Sequence, residues 1–173
     1  SIQKATANEL MQILIFGWVF VSFLQGVTGF GVPVAIGAPL LIGIGVSPLW
    51  SVFILLVGGA WANTFGTLGV AWEALLLQIN SDGNPELLVH SAFWAALFIW
   101  IVNFLAGIII CWIYGKKEGL LKGLPAVVII SLVQGGGQLF LSVLEPSLAV
   151  FIPTTLAMFA SFLLGKSKWY RDE

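Results

Sequence analysis

Gln25, Gly26, Thr28, Gly29, Phe30, Gly31 and Pro33 fall within one short stretch, Gln-Gly-Val-Thr-Gly-Phe-Gly-Val-Pro. Together they have the means to hold a small anion. Gln25 and Thr28 supply uncharged hydrogen-bond donors. Gly26, Gly29 and Gly31 free the backbone to leave helical geometry, while Pro33 removes a donor and restricts Val32. A helix restarting near Pro33, a residue suited to a first turn, exposes N–H groups with no intrahelical partner. An anionic group satisfies them, and the positive end of the helix dipole adds roughly 0.3–2 kcal/mol. A second uncharged cluster runs from Gly58 to Gly69. There Asn63 and Thr64 can donate to a carboxylate and a hydroxyl of a small ligand. Glycines at these spacings also suit close helix packing, and such polar groups also serve as interhelical links worth about 0.6 kcal/mol. Sequence alone leaves both readings open. Trp61 and Phe65 read as core, with a pocket wall as the alternative.

The elements that must position these groups are membrane helices. The chain is 59% hydrophobic and 9% charged, against ~25% charge in a soluble domain. The apolar residues form runs, at about 10–24, 34–46, 49–72, 88–114, 124–144 and 148–164, and a crossing needs ~20 residues. Continuous runs rather than strict alternation favour helices over a barrel. The expected fold is therefore all-α: one polytopic transmembrane domain over 1–173, with helices broken at the two glycine-rich segments. No Asp, Glu, Lys, Arg or His lies between Leu10 and Trp72, so the first break is expected at membrane depth. In lipid, irregular backbone survives only where protein buries it or where it lines a wet cavity. Whether 10–46 crosses twice, or once with a re-entrant half, is open.

Lys116, Lys117 and Lys122 occupy one expected loop, and Lys166, Lys168 and Arg171 a polar tail. The connections at 73–87 and 145–147 carry acids but no Lys or Arg. The bias of Lys and Arg toward the cytoplasmic side places 116–122 and the tail inside and the other two outside. Trp72, Trp112 and Trp169 are expected as interface anchors, and Trp18, Trp61, Trp94 and Trp100 as packing residues. One short internal echo is present: Leu24-Gln25-Gly26 and Val133-Gln134-Gly135 each open a glycine-rich break.

Other chemistry finds no support. A lone His90 and a lone Cys111 give neither a catalytic triad nor metal-ligand spacing, so no catalytic residue, metal or cofactor is expected. Near-zero net charge implies no nucleic-acid partner. Glu73, His90 and Glu145 sit near span ends, so no proton relay within the membrane is evident. No cleavage site for a signal peptide is read, and the missing initiator Met points to a piece of a longer protein.

Phe23-Leu24-Gln25-Gly26-Val27-Thr28-Gly29-Phe30-Gly31-Val32-Pro33-Val34-Ala35-Ile36, followed by Ala38-Pro39-Leu40-Leu41-Ile42-Gly43 and Ser47-Pro48-Leu49, resembles the L-lactate permease family. Asn63-Thr64-Phe65-Gly66-Thr67-Leu68-Gly69 and Leu124-Pro125-Ala126-Val127-Val128 look like further family segments. The resemblance implies proton-coupled uptake of L-lactate or a related 2-hydroxymonocarboxylate, such as glycolate, across a bacterial or archaeal plasma membrane. It implies a small carboxylate, the lipid bilayer and the remainder of a longer transporter as partners. Many family members carry an acid where this chain has Gln25. The substrate-binding residues expected are Gln25, Gly26, Thr28, Gly29, Phe30, Gly31, Asn63 and Thr64. The alternative is a membrane scaffold or assembly subunit, or an inactive transporter fragment, whose breaks serve helix packing.

Overall fold

The computed structural model describes residues 8–29, 31–79 and 84–171. All regular structure among these residues is helical. We label six helices: α1 Glu9–Val27, α2 Val32–Gly43, α3 Pro48–Ala62, α4 Gly66–Gln78, α5 Pro85–Leu144 and α6 Pro146–Gly165. The protein is an all-α polytopic membrane protein. Helices α1, α5 and α6 are each long and apolar enough to cross a bilayer, and α3 and α4 together are as long and apolar, bent by 51° at the break between them.

Helix α1 is apolar on every side, and such a helix is buried on every side. Leu10, Met11, Ile13, Leu14, Ile15, Phe16, Trp18, Val19 and Val21 are all buried. Its start is capped by Asn8, whose side chain accepts from the Met11 N–H at 3.2 Å. Its middle, Ile15–Phe20, is wound as a π-helix.

After α1 the chain doubles back. Helix α2 has 12 residues, about 18 Å of helix, too short for a hydrocarbon core of ~30 Å. Gly45 and Val46 beyond it return to the level of Glu9 and Ile13. Helix α3 then runs parallel to α1. Gly58 packs on the Gly17 carbonyl, Ser22 donates to the Gly58 carbonyl at 3.2 Å, and Trp61 Nε1 donates to Ser22 Oγ at 2.8 Å.

Helix α5 is a hairpin rather than one rod. Gly115 (φ −148°, ψ 22°) and Lys116 (φ 52°, ψ −130°) leave helical geometry and fold the chain back. The two arms touch at successive levels in opposite directions. Gly123 lies against Cys111 and Gly107 against Val127, Asn103 bonds Gln134, and Trp100 bonds Ser131. The basic loop expected over 116–123 is thus a two-residue turn, and Lys117 and Lys122 stand on the first turns of the second arm.

Tyr170 ties the tail to this basic end. Pro125 sits inside the second arm, where a proline ring disturbs the helical ladder. The Tyr170 hydroxyl enters the gap, donating to the Lys122 carbonyl at 2.7 Å and accepting from the Ala126 N–H at 3.1 Å. Burial pushes its phenol pKa up, and the Ala126 N–H opposes the rise. We expect Tyr170→Phe to strand both backbone groups and lower stability by about 2 kcal/mol, read as an earlier thermal transition in detergent with no change in expression at low temperature. The same contact places 116–122 and the tail at one end of the molecule. Trp72, Glu73, Leu88, Ser142 and Pro146 line a common pocket at the other.

The tryptophans divide differently from expectation. Trp18 and Trp61 are buried. Trp72, expected at an interface, is buried with its ring 5.2 Å from Phe65. Trp94, expected in the core, is exposed and stacks among Phe93 and Phe98.

Candidate functional site

The first break stands at the end of α1, not halfway along it. Glu9–Val27 has 19 residues, about 28 Å of helix, the length of a crossing. Thr28 is extended (φ −102°, ψ 172°). Gly31, at φ 91°, holds a left-handed conformation open to glycine and caps α2 without a side-chain bond. Pro33 follows in the first turn of α2, as expected. Phe30 lies outside the described residues.

The parallel course of α1 and α3 brings the second break beside the first. That break is more irregular than its glycine content suggests. A 3-10 turn over Ala60–Ala62 ends α3. Thr67 (φ 52°), Leu68 (φ 53°) and Gly69 (φ 78°) then form a left-handed turn before α4 settles into regular helix. A left-handed residue other than glycine costs roughly 1–2 kcal/mol, and such strain gathers at functional sites. Thr67 Oγ1 donates to the Thr28 carbonyl at 2.7 Å, which binds the strained turn to the end of α1. Gly69 packs tightly on the Ser147 backbone.

Gln25 and Asn63 meet here. Gln25 is buried and Asn63 exposed, and Gln25 Nε2 donates to Asn63 Oδ1 at 3.4 Å. That long bond leaves the Asn63 amide N–H groups and the second Gln25 N–H able to turn toward a ligand. Thr28 Oγ1 donates to the Leu24 carbonyl at 2.7 Å, so its hydroxyl hydrogen is engaged and its lone pairs are left. Thr64 is half-buried next to Asn63. Gly29 and Gly31 face open space: a Cβ on either would have no neighbour within 4 Å.

Two glycines serve packing. A Cβ on Gly26 would press on the Phe151 backbone at 3.2 Å, and one on Gly66 would meet the Gln25 carbonyl oxygen at 3.0 Å. Gly26 therefore lets α1 approach the start of α6, and Gly66 holds the two breaks together. Sequence reasoning passed over Ser22 and Thr67, which fix the seam between α1 and the second break. A hydroxyl residue at each crossing point was the available signal.

Discontinuous helices joined by uncharged polar groups, within a polytopic helical membrane protein, define the class. A family model described as L-lactate permease matches residues 1–173. The chain belongs to the L-lactate permease family. It is 30% identical over 159 residues to the L-lactate permease of Halalkalibacterium halodurans, covering 91% of this chain and 30% of that protein. It is 41% identical over 70 residues to the L-lactate permease of Escherichia coli K12, covering 40% of this chain and 13% of that protein. It is 39% identical over 70 residues to the glycolate permease GlcA of the same organism, covering 40% of this chain and 12% of that protein. The chain thus spans less than a third of the length of these relatives. No solved structure matches it.

Proposed function

We propose that this chain forms part of a permease that carries L-lactate or a related 2-hydroxymonocarboxylate across the plasma membrane. The carrying observation is the meeting of Gln25 and Asn63, from two separate breaks, at 3.4 Å. In this reading the carboxylate lies against the side-chain amides of Gln25 and Asn63. It also lies near the first turn of α2, reached past the open backbone at Gly29 and Gly31. Thr64 flanks it, Gly26 shapes the site from behind, and Thr28 accepts from the 2-hydroxyl. Lactate and glycolate share that carboxylate and hydroxyl, which agrees with the relatives being an L-lactate permease and a glycolate permease. The basic end faces the cytoplasm, by the bias of Lys and Arg toward that side. Transport is coupled to a proton whose carrier lies outside the uncharged tract from Leu10 to Trp72.

The packing of Gly26 and Gly66 favours one other reading, a scaffold segment whose breaks serve helix contacts alone. Uptake of labelled L-lactate into vesicles holding the protein as the cell makes it separates the two. Under an inward proton gradient we expect accumulation that excess glycolate suppresses. No accumulation above protein-free vesicles would overturn the permease reading.

A further inference from the structure

A second group of amides lies on the two arms of α5. Asn103, on the first arm of α5, and Gln134 and Gln138, on the second, are all fully buried. Asn103 Nδ2 donates to Gln134 Oε1 at 2.9 Å. Asn103 Oδ1, Gln134 Nε2 and both polar atoms of Gln138 have no partner among the described residues. Turning over both amides of the bonded pair leaves the same inventory, one carbonyl oxygen and one NH₂ group. More than nine in ten buried polar groups are satisfied in native proteins, and leaving one unpaired is costly. Four such atoms, three on neighbouring turns of the second arm and one on the first arm beside them, point to a ligand.

The backbone supports this. Leu132–Gly136 is a π-helix, a local widening that recurs at functional sites. Gly135 has no room for a side chain because the Trp100 ring fills it. Trp100 is itself fixed by its bond from Nε1 to Ser131 Oγ at 3.2 Å. A Cβ on Gly137 would fall 2.9 Å from the Pro153 ring, two residues along α6 from the Phe151 backbone that receives Gly26. The two Gln-Gly segments that echo one another in sequence therefore flank the same turn of α6.

We propose that Asn103, Gln134 and Gln138 form a second binding station for a small hydroxy-monocarboxylate, separate from Gln25 and Asn63. The proposal rests on the permease reading. The chemistry of the unpaired atoms selects the ligand class. The NH₂ groups of Gln134 and Gln138 donate to a carboxylate, and the carbonyl oxygens of Asn103 and Gln138 accept from a hydroxyl. No Asp, Glu, Lys, Arg or His lies between Ser91 and Gly115 or between Gly123 and Leu144. A single negative charge can be held by amide dipoles alone, whereas a dicarboxylate calls for a cationic side chain.

The test uses the naturally made protein with L-lactate as the probe. Uptake by the unaltered protein comes first, since its absence defeats the permease reading. Given uptake, we expect Gln138→Leu to raise KM for L-lactate at least tenfold at equal membrane abundance. KM within twofold of the unaltered protein would overturn the second station and leave the first untouched. Hydrogen–deuterium exchange of the peptide over 132–138 in the unaltered protein covers the case of a variant that fails to insert. Saturating L-lactate is expected to slow exchange there severalfold, and unchanged exchange would assign these amides to structural water instead.

Discussion

Replacing Gly58 by alanine is expected to cost the fold about 3 kcal/mol or more, an overpacking penalty at the top of the usual range. The new methyl group would fall on the Gly17 carbonyl oxygen, with the Trp18 Cα at 3.0 Å behind it. Both obstacles are backbone atoms of the central helix, so no side-chain rotation relieves the contact. Separating α1 from α3 would also break the bond from Ser22 to the Gly58 carbonyl and leave the Trp61 indole unpaired in the core. The adjacent Gly59 supplies the comparison. A Cβ there would meet only Val21 Cγ2, at 3.6 Å, an ordinary contact. Thermal unfolding in detergent should therefore show a large loss for Gly58→Ala and little change for Gly59→Ala. Equal effects would mean that α1 and α3 do not meet at this crossing.

The second large effect is expected at the site. Changing Gln25 or Asn63 to leucine removes an amide that the proposal aims at a carboxylate. Hydrogen bonds to charged groups are worth roughly 1.5–3 kcal/mol, so kcat/KM for L-lactate should fall about ten- to a hundredfold in each single variant. The two residues touch, so their effects should not add. The double variant should lose markedly less than the product of the single losses. Uptake kinetics of the four proteins, normalised to membrane abundance, decide this. Full additivity would show that the two amides act apart.

The helical class was legible in the sequence because runs such as 88–114 are too long and too apolar for any other use. The turn at Gly115–Lys116 was less so. Lys116, Lys117, Glu118 and Lys122 look like a solvated loop by charge, yet Lys, Glu and Leu are good helix formers, and a hairpin needs only one residue at positive φ. The Gln25–Pro33 break was visible, but its place along the membrane was not, since an uncharged tract from Leu10 to Trp72 carries no mark of where the bilayer is left. Its pairing with Asn63 depends on α1 and α3 running parallel. That follows from the return of α2, which sequence left undecided between two topologies. The left-handed turn at Thr67 and Leu68 contradicts the local preferences of both residues. It is held from outside, by the Thr28 carbonyl and the tight contact at Ser147, so no local pattern announced it.

The central claim is that the ligand sits where the two breaks meet. Cys111 is the chain's lone cysteine and is buried between the arms of α5, so a Cys111→Ala background allows a single reporter thiol. Thr64→Cys in that background places the reporter beside Asn63. The decisive measurement is its labelling rate by a small charged thiosulfonate, with and without saturating L-lactate. The account predicts that L-lactate slows labelling at least fivefold while an equal concentration of chloride does not. Labelling at the same rate in both conditions, from protein that still accumulates L-lactate, would contradict it.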